Sequence, residues 1–360
     1  MADNPDVVVV GGGVIGLSCA WRLAQGGRRV VVLERATCGA GATLASLGAL
    51  WPPSPLIDQP PQNFHRKSLA MFEAFVAELA AASGLPVAFR RLGHIDLLIT
   101  ERQVANAARQ CAAAPGVWPD SPDGPPMEIL SEAQLRWLEP QVTCPCRGAL
   151  WCRVSAQVRV EQLMAALAAA CARAGAQIME GAAVEKILIN AGRACGVMAN
   201  GKVYAAERIL LAAGAWTGGV DRAATGDLGI RPVRGQGVLL RHSPALAGRI
   251  IKNGPVYFVP WDQGRVLLGS TTEPEAGWNC FPTAHGMAQL LRLATATIGA
   301  VARAKVEMVW AGLRPDAPRH QPIIGAAPGV HGLFVAAGHY KTGIGMAPAT
   351  AQLVVEQMIE

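Results

Sequence analysis

The segment Val7-Val8-Val9-Val10-Gly11-Gly12-Gly13-Val14-Ile15-Gly16, with Val30-Val31-Val32-Leu33-Glu34 after it, has the residue types and spacing to hold a dinucleotide. Four successive valines suit a parallel strand buried on both faces. Gly11 permits a tight turn, Gly13 lets the backbone approach a pyrophosphate, and Gly16 lets the next helix pack closely on the strand. That helix, predicted from Val14 to about Gln25, aims unpaired N–H groups and its positive dipole end at phosphates. Gly26-Gly27 stops it. Glu34 stands 18 residues beyond Gly16, close to the place of a carboxylate that binds an adenosine ribose. A lone GxGxxG says little; strand, glycines, helix, second strand and terminal acid in order say much more.

A second glycine-rich turn lies near the other end, Leu333-Phe334-Val335-Ala336-Ala337-Gly338-His339-Tyr340-Lys341-Thr342-Gly343-Ile344-Gly345. It points to a cofactor held by both ends of the chain. The small residues of 343–350 precede a helix expected to carry Pro348 in its first turn, a favoured position. N–H groups there can stabilise negative charge. His339 is open to two roles, a site nitrogen or a core histidine. Lys341 is open to two as well, a cation beside the cofactor or a solvated side chain.

These motifs must be positioned by a sizeable protein. The chain has 360 residues, of which 51% are apolar and 16% charged, enough for a large core and two domains. No apolar stretch reaches the ~18 residues of a membrane span, and the first strand begins too early for a signal peptide. A cytoplasmic location is therefore expected. The net charge of +6 comes from scattered basic residues with no basic run, which argues against nucleic acid as a partner. Nine cysteines show no CxxC pair and no metal spacing. The one cluster, Cys144, Cys146 and Cys152, reads as reduced thiols in a loop-rich segment rather than a redox or metal feature, and no metal site is expected.

Along the chain, Cys38 to Leu50 is a small-residue loop that lets backbone pass close to a flat ligand. Trp51-Pro52-Pro53-Ser54-Pro55 and Gln59-Pro60-Pro61 form a stiff excursion, either a surface loop or a lid. Helices are predicted over 62–83, 101–114 and 160–174, with a capping box from Ser131 to Gln134 opening another. Residues 115–126 are rich in proline and glycine. Strands are predicted at 182–189 and 194–199, with a hairpin turn at Asn200-Gly201. Arg208 to Trp216 reads as a buried strand passing beside the cofactor. Residues 229–310 return to strands around one helix, about 284–302. Trp51, Trp118, Trp137 and Trp151 are surface candidates. The fold expected is α/β (α+β overall), a Rossmann-type nucleotide-binding domain of 1–84, 150–225 and 308–360 interleaved with a mixed or antiparallel-sheet substrate domain of 85–149 and 226–307.

Taken together, these segments resemble the D-amino acid oxidase family of FAD enzymes, and within it the bacterial glycine oxidases. The likeness spans essentially the whole chain. Its most specific parts are Ala311-Gly312-Leu313-Arg314-Pro315, then Gln321-Pro322-Ile323-Ile324-Gly325, then Ala337 to Thr350. The resemblance implies that Arg314 pairs with a substrate carboxylate, that Tyr257 in Val256-Tyr257-Phe258-Val259-Pro260 adds a hydroxyl to it, and that 338–346 runs past the flavin. Lys341 and Trp261 stand where arginine is common in such relatives. Relatives that attach flavin covalently carry a cysteine near the Arg314 region, and none stands in 281–360, so the resemblance implies noncovalent FAD. The cofactor-binding set expected is Gly11, Gly13, Val14, Ile15, Gly16, Glu34, Arg35, Thr43, Ser46, Gly48, Val184, Ala213, Gly214, Trp216, Gly312, Gly343, Ile344, Gly345 and Met346.

Oxidation of an amino acid at Cα needs orientation more than acid–base machinery: hydride leaves for flavin N5, and the imine hydrolyses to a keto acid. A guanidinium suits this because it grips a carboxylate through two parallel hydrogen bonds, and Pro315 biases Arg314 to extended backbone. The catalytic set expected is Arg314, Tyr257 and Lys341, the other readings being a structural ion pair for Arg314 and a core tyrosine with a wet tip for Tyr257. The activity implied is oxidation of glycine, sarcosine or a small D-amino acid, with dioxygen yielding hydrogen peroxide. The alternative is the catalytic subunit of an amino acid, imino acid or opine dehydrogenase that passes electrons to a partner, with peripheral membrane association. Either reading implies an oligomer of like or unlike subunits.

Overall fold

The computed structural model describes residues 4–119 and 124–359, so part of the 115–126 segment lies outside the described residues. The valine runs do form the centre of a sheet. Six strands lie in the order 323–326, 333–337, 208–211, 7–10, 30–33 and 177–179, parallel except at the 323–326 edge. Val7, Val9, Val30, Val32 and Leu210 face a layer of helices. Val8, Val10, Val31, Leu33, Ile209 and Leu211 face the other way, into a core shared with Ile187 and Val197 of a three-stranded antiparallel sheet. Both faces are covered, which is why these strands read as continuous apolar runs instead of alternating.

The helix layer is built from Val14–Gln25, Pro60–Ser83, Val160–Arg173 and Gly343–Ile359, which pack on one another. Trp21, Phe72, Leu79, Leu163 and Leu167 are all but fully buried among them. Ser131 and Gln134 form the capping box at both of its bonds.

The second large sheet has eight strands in the order 305–316, 231–241, 265–269, 256–260, 250–253, 94–97, 149–152 and 127–130. Its pairs are antiparallel except 250–253 beside 94–97. The helix Ala284–Thr297 covers one face, where Phe258, Val238 and Leu268 meet Leu290 and Ala294. Alternation along Val256–Pro260 then turns Tyr257 and Val259 to the opposite face, toward Trp51 and Leu47. The expected segment limits at 149/150 and 307/308 both fall inside strands of this sheet.

Several local expectations need correction. The strands at 184–190 and 193–199 turn through Ala191-Gly192, while Asn200-Gly201 joins the second to a third strand, Lys202–Ala205. The Arg208 strand stops at Leu211, and 214–216 forms a short 3-10 turn. Pro348 is the sixth residue of the helix that starts at Gly343, beyond its first turn. Its missing N–H is tolerated because the helix is locally held from outside: Ser68 Oγ accepts the Ala349 N–H at 3.1 Å. Of the four surface tryptophans, only Trp137 is strongly exposed, at 84%; Trp118 is buried and Trp51 and Trp151 are half-buried.

Candidate active site

The carboxyl ends of the parallel strands open into a cavity of about 680 Å³. This is where open α/β sheets place their ligands. Gly11, Gly13, Val14, Ile15, Glu34, Arg35, Thr43 and Ser46 line it from the N-terminal unit. Val184, Ala213, Gly214 and Trp216 line it from the middle of the chain, and Lys341, Gly343, Ile344 and Gly345 from the second glycine turn. Gly11 has φ +109°, and a Cβ there would stand 2.5 Å from the Ala212 carbonyl oxygen. Thr43 Oγ1 accepts the Val14 N–H at 3.2 Å, tying the small-residue loop to the helix start. The Arg35 guanidinium lies 3.7 Å from the Trp216 ring centre, and Trp278 packs on Trp216.

The Glu34 carboxylate lines this cavity while accepting N–H bonds from Gly12 at 2.8 Å and Ala36 at 2.9 Å. It therefore fixes the glycine turn as well as lining the cavity. Glu34→Ala is expected to lower the FAD content of purified protein with little change in substrate preference. Unaltered FAD content, measured by flavin absorbance against protein, would remove Glu34 from the cradle.

Gly16, Gly48, Gly312 and Met346 do not line this cavity. A Cβ on Gly16 would sit 1.9 Å from the Gly11 carbonyl oxygen, so Gly16 seats the helix. Gly48, at φ +74°, presses against the Val158 carbonyl where the loop joins a small sheet. Met346 is buried, its Sδ beside the Thr342 hydroxyl. Gly312 lines a neighbouring cavity instead.

That second cavity, about 330 Å³, shares a wall with the first: Ala42, Ser46, Ala49, Trp51, Tyr340 and Lys341 line both. Arg314 and Tyr257 line only the second. Arg314 lies over Gly235 of the neighbouring strand, where a Cβ would stand 2.1 Å from Nη2. Its Nη1 donates to the carbonyls of Thr271 (3.1 Å) and Arg234 (3.4 Å), and its Nη2 to Ser270 Oγ (2.7 Å). A guanidinium carries five N–H donors. The two left over, on Nε and Nη2, have no acceptor among the described residues and share one edge. Such an edge matches the two oxygens of a carboxylate.

Beneath Arg314, Glu273 accepts bonds from Arg234, Thr271 and Gln236, which fixes the backbone that carries those carbonyls. Tyr257 packs edge-on against Trp51 with ring centres 5.4 Å apart, and its hydroxyl has no partner among the described residues. Lys341 Nζ donates to Thr272 Oγ1 at 3.2 Å. Partial burial and the nearby Arg314 charge hold its ammonium below the usual lysine range. His339 is buried, its Nε2 3.1 Å from Thr350 Oγ1, and burial pushes it down to about 3, so it is neutral.

Sequence reasoning passed over Tyr340, His65, Ser270 and Thr272, and set Trp51 among surface residues. Tyr340 adopts φ +50°, uncommon for a side-chain-bearing residue, while its N–H bonds to the Pro315 carbonyl at 2.8 Å. His65 lines the larger cavity beside Gly345, and burial pushes it down to about 4. Nothing in its sequence surroundings marks it. Among the described residues no cluster of His, Cys, Asp and Glu could hold a metal ion, and no helix is long and apolar enough to cross a membrane.

Glycines that admit backbone contact, a helix N-terminus and a strand-end acid fit the cavity to a dinucleotide such as FAD, next to a smaller cavity lined by Arg314, Lys341 and Lys252. The FAD dependent oxidoreductase family model DAO matches residues 6–357, and the chain belongs to that family. It is a flavoprotein oxidoreductase whose cofactor is FAD. A glycine oxidase of Geobacillus kaustophilus is 31% identical, covering 99% of this chain and 93% of the relative. A crystal structure of glycine oxidase from the same organism superposes with a TM-score of 0.91 at 31% identity, over 99% of this chain and 94% of that one. The hydrogen cyanide synthase subunit HcnC of Pseudomonas aeruginosa is 29% identical, covering 97% of this chain and 91% of the relative.

Proposed function

We propose that this protein oxidises glycine, sarcosine or a small D-amino acid at Cα and returns the electrons to dioxygen, forming hydrogen peroxide. The observation that carries this is Arg314: it lines a cavity that shares a wall with the cofactor cavity, and two of its five N–H donors have no acceptor among the described residues. The substrate carboxylate takes those two donors, and the Tyr257 hydroxyl adds a third. FAD, when bound, supplies the hydride acceptor. Gly11, Gly13 and the helix after them would hold its pyrophosphate, Glu34 its ribose, and the 343–345 turn the ring end. Because Cys280 is the last cysteine, we take the FAD to be held without a covalent bond.

Among the described residues no carboxylate or imidazole lines the small cavity, so the proton lost from the substrate amine is proposed to pass to solvent. Lys341 lines both cavities and brings positive charge to the place where dioxygen would meet the cofactor. The likeness to a synthase subunit supports a second reading, in which a partner protein takes the electrons. Glycine, sarcosine, D-alanine, D-proline and opines added to aerobic protein separate the two. The proposal expects peroxide equal to the amine oxidised; turnover only with an artificial dye selects the second reading.

A further inference from the structure

The small cavity holds more positive charge than one carboxylate balances. Arg314, Lys341 and Lys252 line it, and among the described residues no acidic side chain does. Lys252 is already paired with Asp96 at 2.6 Å. Arg314 and Lys341 have no ion-pair partner among the described residues; their polar contacts are carbonyls and hydroxyls. Asp316, which acts on Lys341 from outside the cavity, is bound to His320 at 2.6 Å. A single bound carboxylate on Arg314 leaves Lys341, exposed in the wall shared by the two cavities, open to a second anion.

The two cations are also held in fixed relation. Arg314 bonds to Ser270 and Thr271, and Lys341 bonds to Thr272, so three consecutive residues anchor both. Anchors one or two residues apart correspond to about 4–7 Å of chain. That span suits two carboxylates joined by a short chain. A cavity of about 330 Å³ is far more than glycine fills.

We infer that the preferred substrate is a short amino or imino acid with two carboxylates, one gripped by Arg314 and the other by Lys341. This rests on the amino acid oxidation proposed above and narrows its substrate class. The bond oxidised and the fate of the electrons are unchanged.

D-aspartate and D-asparagine differ only in the second anion, and so do malonate and its monoamide as non-reacting ligands. With the FAD-loaded protein, kcat/KM for D-aspartate is expected to exceed that for D-asparagine at least tenfold. Malonate should bind at least tenfold more tightly than the monoamide by calorimetry. Lys341→Met should collapse both ratios toward one, and Lys341→Arg should keep them. Ratios near one in the unaltered protein, or ratios that survive Lys341→Met, overturn the inference. Glycine turnover without any preference for the dianions would overturn it while leaving amino acid oxidation standing. A malonate preference without turnover of any amino acid would uphold the two-anion site and sink the oxidation reading.

Discussion

Arg314→Lys is expected to lower kcat/KM for amino acids by about 30-fold or more, with the flavin spectrum unchanged. Lysine keeps the charge but cannot present two parallel N–H groups along one edge. Its three N–H donors also cannot replace the five that reach the Thr271 and Arg234 carbonyls, the Ser270 hydroxyl and two ligand oxygens. Losing one partner of a desolvated charge pair costs about 2–5 kcal/mol, roughly 30- to several-thousand-fold in rate. The lower end applies to lysine and the upper end to Arg314→Ala. Because Arg314 lines only the smaller cavity, FAD content should match that of the unaltered protein. Near-normal turnover by Arg314→Ala would move the carboxylate anchor to Lys341 or Lys252.

Gly16→Val should be still more damaging, and in a different way. A Cβ at Gly16 would stand 1.9 Å from the Gly11 carbonyl oxygen and 3.4 Å from the Ala212 side chain. The obstacle is backbone of the turn itself, so only a shift of the whole Val14–Gln25 helix makes room. That helix is buried along nearly its whole length against three other helices, and forcing it outward costs about 1–3 kcal/mol or more. Expression without bound FAD, or insoluble protein, is the expected result. A soluble yellow variant with a normal melting temperature would show that Gly16 has no part in seating the helix.

The nucleotide half of the fold was legible because its signals are local. Four valines, three spaced glycines and Glu34 lie within one short stretch, and each acts on its near neighbours. Arg314 was legible through its motif, but its surroundings were not. Gly235, Ser270, Thr271 and Thr272 reach it through the register of the eight-stranded sheet, which no local pattern encodes. Trp51 shows the same limit: its proline-rich context suggested exposure, whereas contacts with His94 and Tyr257 from other strands draw it into the site. Pro348 was placed too early because the glycines before it are themselves helical, and the support from Ser68 comes from a helix far back in the sequence.

The central claim, that this chain takes electrons from an amino acid and gives them to dioxygen, is tested most directly by following flavin colour in the two half-reactions. Mixed without air with glycine, sarcosine or a small D-amino acid, the yellow protein should bleach. Mixed next with dissolved dioxygen, it should recover its colour within the turnover time and release one peroxide per flavin. A protein that no amino acid bleaches, or one that bleaches and stays colourless in air, contradicts the account.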